Sequence, residues 1–225
     1  MRVFSTQSCL TAMLLASTCG LVSPALALDT VLENITIKEK DDTRLVISRV
    51  EVTGTNLTKE ELTKLFSDTT SAEDLRAIAG KMKADKVAIP EVVVTKKNAK
   101  VTISKIFATN IADGKIEHAG IASIDSSNPD ETGGMATVKA GAITLDGSNM
   151  SALLGTASGS LSFTHLGVQD ISIVAPDKDT PATAVGGNMF SIKLGTLSVD
   201  SRFDGNVLLN GAVSLTKFTL QPHAG

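Results

Sequence analysis

Apolar residues recur along the chain in a six-residue pattern, apolar-x-apolar-x-x-apolar. It is visible at Leu45/Ile47/Val50, Val87/Ile89/Val92, Val101/Ile103/Ile106, Val138/Ala140/Ile143, Leu161/Phe163/Leu166, Ile192/Leu194/Leu197 and Val213/Leu215/Phe218. Two apolar residues separated by one other residue report a strand with one buried face. The third apolar residue arrives one position late, and a one-residue slip would turn it to the opposite face. The late residue therefore predicts a bulge or bend that re-aims each strand. The segments are rich in Val, Ile and Thr, which suit a pleated, half-buried surface.

A helical period replaces the strand period between residues 58 and 84. Thr58-Lys59-Glu60-Glu61 is a capping box, followed by Leu62, Leu65 and Phe66 at i, i+3 and i+4. A second helix is predicted from Ser71, with Glu73 and Asp74 in its first turn and Leu75, Ile78 and Met82 on its buried side.

The strand segments also repeat on a longer scale. Residues 45–58 align with 138–151 at an offset of 93, ending in Gly54-Thr55-Asn56-Leu57-Thr58 and Gly147-Ser148-Asn149-Met150-Ser151. Residues 101–106, with Asp113-Gly114 beyond them, align at an offset of 91 with residues 192–197 and Asp204-Gly205. Two blocks in one order at nearly one offset predict a tandem duplication, with a first β-rich repeat over 28–124 and a second over 125–225. The helices belong to the first repeat, and the second keeps only a stub at Ser151-Ala152-Leu153-Leu154. Asp125 to Gly134 contains no aliphatic or aromatic side chain other than Pro129 and reads as a surface loop, as does the stretch from Ala175 through Asn188. The expected fold is mainly β with a few short helices. It is either an elongated twisted antiparallel sheet or two packed β-rich halves.

Residues 1–27 carry a positive start at Arg2, an apolar run from Leu10 to Val22 and a small-x-small site at Ala25-Leu26-Ala27, the signature of a secretory signal peptide. The run is broken by Thr11, Ser17, Thr18, Gly20 and Pro24, unlike a membrane-spanning helix, and Thr18 before Cys19 departs from the lipoprotein pattern. Cleavage would remove both Cys9 and Cys19 and leave no transmembrane segment, so no disulfide could form and stability would come from burial alone. A periplasmic or secreted bacterial location is expected. Asn34, Asn56 and Asn149 begin glycosylation sequons that matter only in a eukaryotic secretory pathway.

Composition narrows the chemistry. With 21 basic against 24 acidic residues, no Trp and no Tyr, the chain lacks the basic groove and aromatic platforms of a nucleic-acid binder. The three histidines, His118, His165 and His223, show no metal-ligand spacing, and each reads as a surface or hydrogen-bonded core residue. Ser214-Leu215-Thr216-Lys217 has Ser-x-x-Lys spacing on an alternating strand, which directs the two side chains apart. Asp41-Asp42 and Glu60-Glu61 suit a turn and a helix start, and neither acidic loop has the spacing of a calcium loop. No nucleophile, base and orienter converge, so a non-enzyme is expected, with no catalytic, metal-ligating or cofactor-binding residue and no cofactor.

Rows such as Val101-Thr102-Ile103-Ser104-Lys105-Ile106 and Ile192 to Val199 resemble the repeated strands of AsmA-like envelope proteins. That resemblance implies a β-groove that carries lipid. The leader, with Leu32 to Ile37 and Ala84 to Glu91, is also similar to uncharacterised secreted proteins of alphaproteobacteria, which implies a periplasmic location. The expected ligand is a lipid or other hydrophobic molecule on an apolar sheet face. The alternative is a structural module whose sheet edge pairs with another envelope protein.

Overall fold

The computed structural model describes residues 27–38, 42–129, 135–149, 163–176, 189–204 and 207–223. The leader up to residue 26, the stub at 151–154 and most of the second expected loop lie outside them. Strands β1 (Leu28–Lys38) and β2 (Thr43–Thr55) precede helices α1 (Lys59–Leu65) and α2 (Ala72–Lys81). Ten strands follow: β3 (Ala84–Lys96), β4 (Ala99–Ala112), β5 (Lys115–Ile121), β6 (Ser123–Pro129), β7 (Met135–Ala140), β8 (Ile143–Asn149), β9 (His165–Pro176), β10 (Met189–Asp204), β11 (Val207–Thr216) and β12 (Thr219–His223).

All twelve join one antiparallel sheet. β5 and β6 are halves of one passage along β4, interrupted at Ala122. β7 and β8 are likewise halves of the passage alongside them, and β11 and β12 of the passage along β10. The strands therefore run as nine long passages, each hydrogen-bonded to the next in the chain, and the order is that of a simple meander. The mainly β expectation holds in its single-sheet form.

The late third residue of the sequence pattern has a structural cause. Asn34, Lys105, Asp170 and Lys217 take positive φ of 57°, 53°, 49° and 53° within their passages. The ladder skips Pro90 and Lys105 between the pairs Ile89–Ile106 and Glu91–Ser104, which is where a residue without an amide hydrogen is tolerated. Between β8 and β9 it skips to Gly141, whose amide donates to the Gln169 carbonyl at 2.8 Å. Ala122 and Gly195 occupy the corresponding gaps on their strands. These irregularities form one seam across the sheet, and each restores the apolar side chains to a common face.

A second, shorter seam passes through Gly54, Asn110 and Gly147, at φ of 65°, 52° and 64°. Gly54 and Gly147 are the aligned glycines of the two sequence blocks, and their strands lie four passages apart in the meander. The sheet is continuous where the repeats were expected to meet. Residues 124 and 125 are both inside β6, and Asp125 to Pro129 is strand rather than loop, because its backbone is paired on one side with β4 and on the other with β7. Ala175 and Pro176 similarly close β9. The triplet expected at Leu161/Phe163/Leu166 is displaced: Leu161 lies outside the described residues and Phe163 precedes the strand. Leu166, Val168 and Ile171 take that role on β9, paired to Val199, Leu197 and Leu194.

Both helices form where their caps predict. The Thr58 hydroxyl accepts from the Glu61 amide at 3.2 Å, and the Glu61 carboxylate accepts from the Thr58 amide at 2.9 Å. Lys81, at the end of α2, also bonds Glu61, and that bond is the main reason the carboxyl is held below its ordinary range. Ser71 caps α2 by accepting from the Asp74 amide at 3.1 Å. Asn56, the last residue of Gly54-Thr55-Asn56, fastens α2 to β2. Its side chain donates to the Lys81 carbonyl at 2.9 Å and accepts from the Lys83 amide at 2.7 Å. The core lies where the helices meet the sheet, with Val50, Leu57, Leu62, Ala79 and Met82 fully enclosed.

Candidate functional site

Register places one apolar row across eight passages. Val52, Val87, Ala108, Ala119, Leu145, Leu166, Val199 and Val213 stand directly opposite one another, strand by strand. Directly paired residues share a face, so these side chains make one aliphatic surface. From Val52 to Leu145 the row is buried, whereas Val213 at the far edge is 71% exposed. The buried part of the row lies under the helices, whose Leu62, Leu65, Phe66 and Met82 line a common space with residues as far along it as Leu145.

Between the helices and this face lies an apolar pocket of about 350 Å³. Leu62, Leu65 and Phe66 of the first helical stripe and Met82 of the second form its roof, and Val87, Ala108, Ala119 and Leu145 form part of its floor. The volume is in the range of ligand sites, about 300–1,000 Å³. Small residues at Ala108 and Ala119, beneath the roof, leave space that larger aliphatic side chains would fill. A second cavity, of about 700 Å³, opens on the other side of α1 against β1. Its wall is mixed, with Leu32 and Ile35 beside Lys59, Thr63, Ser67 and Asp68. Phe66 lines both cavities.

The opposite face is polar, and register assembles a ladder there that no short motif could show. Thr109, His118, Asp146, His165 and Asp200 are successive cross-strand partners. His118 Nδ1 lies 2.8 Å from Asp146 and His165 Nδ1 lies 2.7 Å from Asp200. The hydrogen bond to Asp146 raises the His118 pKa above its ordinary value, with smaller help from the charges of Asp146 and Glu117 and with desolvation opposing. His118 and His165 thus each have a carboxylate partner, in keeping with the hydrogen-bonded surface reading of these two. Among the described residues no group of three or more His, Cys, Asp or Glu side chains is arranged to hold a metal ion. Neither cavity is lined by the ladder. His223 ends β12 and pairs with Met189 through the backbone.

The pocket residues were half visible in the sequence. The helical stripes name the roof, but the floor depends on which strands lie beneath α1, and that is set by the ladders that join Val52, Val87, Ala108, Ala119 and Leu145 in turn. Glu60 and Glu61 sit in the first turn of α1, and Asp42, at φ of 64°, precedes β2. Among the described residues no helix is long and apolar enough to cross a membrane.

No family model, curated protein or solved structure matches the chain. The functional reading therefore rests on the geometry of the pocket and of the two sheet edges.

Proposed function

We propose that this is a non-catalytic protein of the bacterial periplasm or exterior that holds a lipid or another hydrophobic ligand between its two helices and the apolar face of its sheet. The observation that carries the reading is the 350 Å³ pocket whose walls are almost wholly aliphatic and aromatic. Such a space favours an apolar occupant, because a polar one would lose its hydrogen bonds to water and find none in return. Titration of purified protein with a fluorescent fatty acid, together with native mass spectrometry of the freshly isolated chain, tests it. Saturable one-to-one binding is expected. A clean apo mass with no probe binding and no lipid transfer between vesicles would overturn the reading.

A second reading, an assembly module for another envelope protein, is favoured by the contrast between the sheet edges. Edge strand β1 carries Asp29, Glu33 and Lys38 and the irregularity at Asn34, devices that discourage pairing with a further strand. Edge strand β11 carries no charged residue, and its Leu209, Val213 and Leu215 are 56%, 71% and 54% exposed. A strand added at that edge would cover them. Cross-linking from a cysteine placed at Asn210 in envelope fractions tests this, and recovery of no specific partner counts against it.

A further inference from the structure

We infer that the ligand is a single-chain amphiphile with a zwitterionic head, its tail in the apolar pocket and its head in the cavity between α1 and β1. The inference rests on the proposed hydrophobic-ligand reading and adds the head-group chemistry to it. An apolar compartment and a mixed one share a side chain, Phe66, which lines both and is only half-buried. One is apolar at about 350 Å³, and a methylene takes up about the same space as a water's share of roughly 30 Å³, so it has room for one chain of about a dozen carbons. The other, about 700 Å³, is lined by groups of both signs, Lys59 and Asp68, with the hydroxyls of Thr63 and Ser67. Among the described residues neither Lys59 nor Asp68 forms an ion pair, whereas Glu33, which also lines this cavity, lies 3.8 Å from Arg49, a residue it shares with Glu51 at 2.7 Å. A head with a phosphate and an ammonium group matches that wall: the phosphate meets Lys59 and the ammonium meets Asp68.

The test compares three probes with one twelve-carbon chain, dodecylphosphocholine, dodecyl phosphate and dodecanol, each below its micelle or solubility limit and titrated into the full chain by calorimetry. Dodecylphosphocholine is expected to bind at least tenfold more tightly than dodecanol and more tightly than dodecyl phosphate. Lys59→Ala should weaken the zwitterionic probe about tenfold and leave dodecanol unchanged, and Asp68→Asn should remove the preference over dodecyl phosphate. Phe66→Ala, at the half-buried wall shared by both cavities, should admit a longer chain. Equal binding of dodecanol and dodecylphosphocholine, or no effect of Lys59→Ala on either, would overturn the head-group assignment while leaving the apolar pocket standing. Binding of none of the three would overturn both.

Discussion

Enlarging Ala119 separates an open pocket from a sealed core. Ala119 is 8% exposed, points from β5 into the space beneath Leu62 and Leu65, and stands between Ala108 and Leu145 in the apolar row. Ala119→Leu adds three carbons, and at about 0.8 kcal/mol per buried CH₂ they are worth about 2.4 kcal/mol. Ordering the leucine side chain costs about 0.5–1 kcal/mol, which leaves a net stabilisation of about 1.5 kcal/mol. For a domain of this size that corresponds to a rise in Tm of about 3–6 °C. The chain has no Trp and no Tyr, so unfolding is followed by circular dichroism in the strand region, and a fluorescent fatty acid reports binding against a dark background. The leucine takes roughly a quarter of the 350 Å³, so binding of a twelve-carbon probe should fall as stability rises. A close-packed core would respond in the opposite sense, losing about 1–3 kcal/mol to overpacking. Destabilisation of that size with probe binding unchanged would refute the pocket.

Further outcomes follow from local geometry. Thr58→Ala removes the hydroxyl that accepts from the Glu61 amide and should cost about 1 kcal/mol in urea unfolding, and Thr58→Ser should restore most of it. Gly114→Ala should be far worse tolerated than Gly54→Ala. Both glycines have positive φ, but the new methyl at residue 114 would sit 2.5 Å from the Ala79 carbonyl oxygen, whereas at residue 54 it meets the movable carboxylate of Asp85. Denaturation midpoints compare the two directly, and an equal loss would show that the backbone contact is not the cause. For His118 the folded pKa is raised, so its stabilising contribution is complete below the free imidazole value of about 6.5 and fades as the pH rises through the folded value. An NMR titration should place its midpoint above that of a free histidine, and Asp146→Asn should bring it back. A midpoint indifferent to Asp146→Asn would contradict the hydrogen-bond origin of the shift.

The period-two alternation, the capping residues and the helical stripes follow from local rules, and they were legible without coordinates. Leu45/Ile47/Val50 or Val101/Ile103/Ile106 could be seen to need a bend, because a strand that keeps one face buried cannot skip a residue without one. Thr58 and Ser71 could be seen to start helices, because the first amides of a helix need acceptors wherever it packs. The Asp125 to Pro129 segment looks like a loop because Ser, Asn and Asp prefer turns locally, and pairing with β7, and as far as Ser127 with β4, holds it in a strand instead. The triplet ending at Leu166 differs in the sheet because Phe163 falls before β9 begins, so Leu166 opens the triplet rather than closing it.

What the sequence determined by itself was a set of one-faced aliphatic strands with two short helices between residues 58 and 84. The tertiary structure alone decided that the strands form one meander, that α1 and α2 roof a pocket on its apolar face, and that Phe66 lines both this pocket and a mixed-charge cavity. It alone also set His118, Asp146, His165 and Asp200 in a row. The physical reason is register: alternation fixes which side of a strand is apolar, but which residues stand opposite one another is settled only when the ladders close over long separations.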